Sequence, residues 1–370
     1  MPRLLLALLL CLSLAPAHAE VRITDIAGRN VVLDAPAQKV ILGEGRFLAV
    51  LGVLGVDAPL SRVAAMMNEF RRFDPGGFER YREAFPDIDA VTTFGQTSEE
   101  TVSVEQAILA RPEVAIFGLQ GHGPGARSHH IIERLEAAGI KVVFIDFRQK
   151  PLENTAPSVE IVARVLGLEA RGAAFAERYR KELARVTERL RDAPPAHCPS
   201  VLIEARVDTA QPCCITIAKG MFADLIEAAG GCNVATGVLP GPVGELSLEH
   251  VIATAPEVYI GTAIGHPGET GGHTRIVLGA GVDAQTARHS LDAVLQRDGF
   301  ADLPAVRNRR AHALWHHFYN SPLNIYALQK IAQWLHPQRF DDLQPERLLD
   351  DLLAGFDPVN LNGVYAISRD

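Results

Sequence analysis

Short, continuously apolar runs that alternate with helical segments constrain this chain more than any other feature. Val40-Ile41-Leu42, Val63-Ala64-Ala65-Met66, Val114-Ala115-Ile116-Phe117 and Lys141-Val142-Val143-Phe144-Ile145 read as strands. Helical patterns at residues 47–54, 104–110 and 128–138 fall between them, the last closed by Gly139. Strands without polar alternation are buried on both faces, so they belong in a parallel sheet covered by helices. The second half repeats the order, with strands at 200–205, 257–260 and 311–315 and helices at 221–229, from 247 towards Pro256, and at 323–335. The run Ala110-Arg-Pro-Glu-Val-Ala-Ile-Phe echoes Thr254-Ala-Pro-Glu-Val-Tyr-Ile-Gly, and both read as helix end, tight turn and strand.

Between the halves, residues 154–192 read as helical with one interruption at Gly167, and Pro194-Pro195 ends the pattern. The later part mixes charges with apolar residues at three- and four-residue spacing, as a rigid linker would. The expected fold is therefore α/β: two Rossmann-like lobes with mostly parallel sheets, joined by one long α-helix. The expected boundaries are an N-terminal lobe at 20–168, a linker helix at 169–193 and a C-terminal lobe at 194–370.

The first residues read as a signal peptide: Arg3, then the apolar stretch Leu4 to Leu14, then Ala17-His18-Ala19 with small residues at the cleavage site. The stretch is too short to span a bilayer. Cys11 follows Leu9-Leu10 and lacks the small residue a lipobox carries before its cysteine, so cleavage before Glu20 is expected rather than lipidation. The mature chain then carries about 350 residues, enough for two domains. Its formal charge of −8, or −9 once Arg3 is removed, argues against a nucleic-acid partner. Cys198, Cys213, Cys214 and Cys232 remain, and an exported chain permits disulfides. Four cysteines allow three pairings. A bond between the adjacent Cys213 and Cys214 is expected to strain the backbone, so each is expected to find another partner or stay reduced.

Ligands of open parallel α/β sheets bind beyond the carboxyl ends of the strands. That rule selects Gly43-Glu44-Gly45-Arg46, then Asn68, Glu69, Arg71 and Arg72, then the glycine-rich loop 118–125 with His122. In the second half it selects Arg206 and Asp208, the loop 261–272 with His266, and His316, His317, Tyr319 and Asn320. An acidic chain that gathers arginines at its mouth points to an anionic ligand, because a guanidinium presents a planar fork to carboxylates and phenolates. Arg46, Arg71, Arg72, Arg206, His316 and Tyr319 are the candidate ligand-binding residues. His316 and Tyr319 are also candidates to complete the coordination of a bound ferric ion. Plainer readings stand beside these: Arg71-Arg72 as a solvated pair, Arg46 as a helix cap, His129-His130 on a helix surface. In an extended chain His316 and His317 point to opposite sides, so one is expected to serve structure.

Taken in order, several segments resemble the iron–siderophore and vitamin B12 class of periplasmic binding proteins, the helical-backbone class of ABC importers. They are Asp25-Ile-Ala-Gly-Arg with Val40-Ile-Leu-Gly-Glu-Gly-Arg, then Leu109-Ala-Arg-Pro-Glu-Val-Ala-Ile-Phe and Leu135-Glu-Ala-Ala-Gly-Ile-Lys-Val-Val-Phe-Ile-Asp. Phe222-Ala-Asp-Leu-Ile-Glu-Ala-Ala-Gly-Gly-Cys-Asn-Val and Ser247-Leu-Glu-His-Val-Ile-Ala-Thr-Ala-Pro-Glu-Val-Tyr-Ile-Gly follow. Trp315-His-His-Phe-Tyr-Asn-Ser-Pro looks like a narrower subgroup for iron-complex transport. The resemblance implies a monomer in the periplasm, without catalysis or intrinsic cofactor. It implies capture of an iron(III) chelate between the lobes and delivery to an inner-membrane permease. It also implies an acid on each lobe that docks on the permease: Asp224 by its place before Gly230-Gly231, and Glu69 as the looser candidate on the first lobe.

Competing readings are haem or cobalamin as ligand, and a bare Zn or Mn site from His122, His266 and His316. Haem wants a Tyr or His axial ligand in an apolar slot, and the arginines weigh against it. An exported metallohydrolase is the reading of a different class. No His-Glu-x-x-His, Gly-x-Ser-x-Gly or triad-like arrangement occurs in the sequence to carry it.

Overall fold

The computed structural model describes residues 20–211, 213–264 and 274–369. The leader and His266 lie outside them. A short antiparallel hairpin of β1 (Val21–Thr24) and β2 (Asn30–Leu33) precedes the first lobe. The lobe's sheet holds β3 (Val40–Leu42), β4 (Val63–Met67), β5 (Thr92–Gly95), β6 (Val114–Gly118) and β7 (Lys141–Ile145). They lie all parallel in the order β5-β4-β3-β6-β7. Val40, Ile41, Leu42 and Val114 to Phe117 are each 0 % exposed, which explains why these strands read as unbroken apolar runs. Helices α1 (Leu48–Val53), α2 (Glu69–Phe73), α3 (Pro75–Ala84), α4 (Val104–Leu109) and α5 (His129–Ala137) connect the strands.

Two helices follow, α6 (Pro151–Leu166) and α7 (Glu169–Asp192). They are separated at Gly167, whose φ of 71° is a left-handed conformation that glycine adopts at little cost. Helix α7 packs along α6 and also against the helix Asn324–Leu335 of the second half. There the Tyr179 hydroxyl donates to Asn324 Oδ1 at 2.8 Å.

The second sheet is mixed. Parallel strands β8 (Ser200–Glu204), β12 (Val258–Ala263) and β14 (Ala311–Trp315) form its centre, and β10 (Cys232–Asn233) adds to β8 in parallel. Antiparallel strands β9 (Ile215–Ile217), β11 (Val243–Glu245) and β16 (Ala366–Ser368) complete its edges. A separate two-stranded pair joins β13 (Gly279–Ala280) to β15 (Gly363–Val364). Helix α8 (Met221–Ala228) covers one face. One apolar core runs from Val40 and Leu51 in the first lobe through Tyr179 of α7 to Phe222 and Leu328 in the second. The C-terminal segment returns to the first lobe, where Phe356 sits so close over Gly52 that a side chain there would collide with its ring. Among the described residues no helix is long and apolar enough to cross a membrane.

The cysteines depart from expectation. Cys232 on β10 faces Ser200 on β8, which brings it beside Cys198, and the two are bonded with their Cα atoms 5.6 Å apart. Cys213 and Cys214 are then left with each other, and they form a disulfide between adjacent residues. The Cys198–Cys232 link closes a sequence separation of 34 residues. Removing it as Cys198→Ser with Cys232→Ser is expected to lower unfolding stability by about 3–4 kcal/mol through the entropy of the freed loop. Guanidinium melts of the two proteins measure this, and superimposable curves would contradict it.

Candidate functional site

In the first lobe the strand order reverses at β3, which has β4 on one side and β6 on the other. The loops beyond β3 and β6 diverge there and leave a crevice. Glu44 and Arg46 follow β3, and His122 follows β6. Arg206 follows β8 of the second lobe, and His316, His317 and Tyr319 follow β14. All these residues except Glu44 line one cavity of about 750 Å³ between the lobes.

Arg46 is the centre of the cavity floor, and 7 % of it is exposed. Its Nη2 donates to Glu44 Oε2 at 2.7 Å, and its Nε approaches Glu69 Oε1 at 3.5 Å. Its Nη1 reaches across to the second lobe, donating to His317 Nδ1 at 2.7 Å and to the Tyr319 hydroxyl at 3.2 Å. His317 donates its Nε2–H to the Phe73 carbonyl at 2.6 Å, so both of its nitrogens are occupied. Glu44 also accepts from Asn320 Nδ2 at 2.7 Å and from the His122 amide at 3.1 Å. Side chains at Gly121 or Gly123 would strike the Glu44 carboxylate or the Gly43 carbonyl, so this loop must be bare to close over the floor.

Arg148, three residues beyond β7, donates its Nη2 to the Tyr319 hydroxyl at 2.7 Å and lies 3.6 Å from Glu44. Its buried Nε has no hydrogen-bond partner among the described residues. Its guanidinium lies 4.7 Å from the Tyr319 ring centroid. Arg206 is exposed at the mouth, with φ 52°. Its amide is held by the Thr262 hydroxyl at 2.8 Å, and that hydroxyl also meets His316 Nδ1 at 2.8 Å. A left-handed non-glycine residue costs on the order of 1 kcal/mol and tends to persist at functional sites. The second lobe also contributes an apolar strip of Ile215, Ile217, Met221, Val243 and Ile264, with Lys219 and Asp224 beside it.

The structure revises several expectations. Arg71 and Arg72 do not line the cavity. On α2, Glu69 and Phe73 share the inward face four residues apart, which turns the two arginines outward. Arg71 pairs with Asp89 at the surface and covers the Phe78 ring. Glu69 is 0 % exposed and accepts the Gly45 and Arg46 amides, so it is no docking acid. Residues His316–Asn320 form a 3-10 turn rather than an extended strand, and for that reason both histidines border the cavity. Arg148 was not singled out from the sequence, and Glu44 was selected only as part of the loop Gly43-Glu44-Gly45-Arg46, without a role. Applying the strand-end rule to β7 would have found Arg148.

Electrostatics follow from burial. Burial alone would raise the Glu44 carboxyl, but Arg148 and Arg46 outweigh it and hold the group below its ordinary range. Burial pushes Glu69 up to about 7, Arg46 offsetting only part. His316 is held well below its ordinary value of 6.5 by burial, then by Arg206, Arg46 and Arg148. Burial, then Arg46, does the same to His317. Burial lowers His122 to about 4 and His312, in β14, to about 3.

For each of these four histidines the unfolded chain binds the proton more readily than the fold does. Their contribution to stability is therefore full above the ordinary value of 6.5 and lost as pH falls towards about 4, where His122 titrates. Glu69 runs the other way, its contribution lost as pH rises through about 7. Asp74, raised by burial to about 6, and Asp25 and Asp224, raised the same way, side with Glu69, while His336 is lowered by burial like the other histidines. The histidines' ordinary value of 6.5 lies inside the range from pH 7 to pH 5, so their loss is expected to dominate there and the urea midpoint to fall from pH 7 to pH 5. A flat or rising profile would contradict these burial effects.

The sequence profile of the periplasmic binding protein family matches residues 81–314. Among curated protein sequences no match is found. The fold resembles FepB, a TroA-like periplasmic binding protein from Veillonella parvula, with TM-score 0.84 and 21% identity over 95% of this chain and all of that one. It also resembles the molybdate periplasmic binding protein MolA of Haemophilus influenzae, at TM-score 0.66 and 17% identity over 92% of this chain and 99% of that one. A periplasmic heme binding protein from Pseudomonas aeruginosa aligns at TM-score 0.54 and 18% identity, over 82% of this chain and 94% of that one. With more than half its length matched by the profile, and a cleft between two α/β lobes, the chain belongs to the periplasmic binding protein family.

Proposed function

We propose that this protein captures an anionic iron(III) chelate of siderophore type in the periplasm and delivers it to the permease of an ABC importer. The observation that carries this reading is the convergence of Arg46, Arg148 and Arg206 on one cavity with Tyr319 and His316. Arg46 is compensated by two carboxylates and serves mainly to position Tyr319 and His317. Arg148 keeps a buried donor with no partner among the described residues, and Arg206 stands exposed at the mouth. These two present forked, charged donors suited to carboxylate, catecholate or hydroxamate oxygens. The phenol of Tyr319 and the imidazole of His316 are the groups proposed to approach the iron.

Haem is the second reading, favoured by the apolar wall at Ile215, Ile217, Met221 and Val243 and by a tyrosine able to act as axial ligand. Titration with ferric catecholates, ferric hydroxamates, haem and cobalamin separates the two. Quenching of Trp315 by the ferric chelates is expected, and a Soret shift with haem alone would overturn the chelate reading. Arg206→Ala and Tyr319→Phe are each expected to weaken chelate binding about tenfold or more, the value of one charge-assisted hydrogen bond. Unchanged affinity would remove them from the site.

Asp224, in the first turn of α8, is proposed as the second-lobe docking acid. Its carboxyl is half-buried, accepts the Gly220 amide at 2.9 Å and is raised by burial. Asp224 also borders the cavity, beside Lys219 and Met221, so Asp224→Asn is expected to slow uptake by cells carrying the cognate permease by more than any change it makes in chelate affinity. Wild-type uptake would end this assignment.

A further inference from the structure

We infer that the cleft is one of two connected chambers, and that the ligand carries a hydrophilic arm, neutral or cationic, which occupies the second. The inference rests on the chelate reading of the main cavity. A second cavity of about 520 Å³ opens beside the first, and Gln120, His122 and Gln149 border both. That volume lies within the roughly 300–1,000 Å³ of ordinary small-ligand sites.

The partition between the chambers is slight. Gln149 Nε2 meets Gln120 Oε1 at 3.5 Å, a long contact between two exposed and flexible side chains. His122 is the fixed part of the wall. Its ring packs against Phe73 with centroids 4.7 Å apart, and its Nε2 lies 3.5 Å from the Tyr319 hydroxyl on the main side. On the other side it is tied to the backbone of Thr97, which lines the second chamber. A ligand seated at Tyr319 therefore lies one imidazole away from the second space.

The two chambers differ in chemistry. The main cavity gathers three guanidinium groups. The second is lined by the Thr97 and Ser98 hydroxyls and the bare backbone of the glycine loop, with Glu99 and Glu100 set against the single Arg127. An anionic head fits the first, and hydroxyl, amide or ammonium groups fit the second. A ligand lacking such an arm leaves the second chamber to water.

Matched ferric complexes test this on the full mature protein. One pair is 2,3-dihydroxybenzamide against its N-(2-aminoethyl) derivative; the other is acetohydroxamate against 6-aminohexanohydroxamate. The armed member of a pair is expected to bind about tenfold more tightly, as for one or two added hydrogen bonds. Ser98→Trp, which fills the second chamber, is expected to bring the two affinities together. Glu99→Gln with Glu100→Gln, at exposed positions that folding tolerates, is expected to reduce the advantage of the ammonium arm. Equal affinities within both pairs for the unaltered protein would overturn the two-chamber inference and leave the chelate reading standing. Failure of all four complexes to bind would remove the chelate reading, and the inference with it.

Discussion

Arg46 brings a full positive charge into a place that water barely reaches, and the arrangement of the cleft follows from how that charge is accommodated. Breaking a buried ion pair by deleting one partner typically costs about 3–5 kcal/mol, because the remaining charge is left uncompensated. Glu44 and Glu69 prevent that here, one from the strand end that carries Arg46 and one from α2. The remaining guanidinium donors turn to His317 and Tyr319, so the same side chain that neutralises the first lobe also orients the second. The cleft floor is thus a single hydrogen-bonded unit drawn from both halves of the chain.

That unit decides what the cavity can hold. Its charge is nearly balanced before any ligand arrives, and further cations border the cavity: Arg206 at the mouth, Lys219 and, in part, Arg148. Attraction for an anion therefore comes from the edge and side of the cavity while the floor supplies shape and a phenol oxygen. The apolar strip from β9 and β11 faces this polar floor, so a ligand is gripped by unlike surfaces on its two sides. Under the proposed reading, these unlike surfaces are what an amphipathic chelate would meet.

Much of this was legible in the sequence, and for identifiable reasons. Four strands of the first sheet and the central strands of the second are largely apolar runs, so they and the loops beyond them could be read directly, and Arg46, Arg206, His316 and Tyr319 were found there; β5, with two threonines and a glycine, was not. The edge strands β9, β11 and β16 are short and antiparallel with partly exposed residues, and no periodicity announces them. Arg71, Arg72 and Glu69 lie on a helix of only five residues, too short for a pattern to say which face is inward. Their roles followed from the angle of one turn. The adjacent cysteines depended on β10 pairing with β8, a contact between residues 32 positions apart that no local signal encodes.

The apolar core that passes uninterrupted from one lobe through α7 into the other has a consequence for traffic through the cleft. Separating the lobes widely would expose that hydrocarbon to water, so the jaws are confined to small excursions. Little of the free energy of capture is then diverted into closing them. The corollary is that the cleft stays open at its mouth, and entry and exit pass by Arg206 without the halves parting widely.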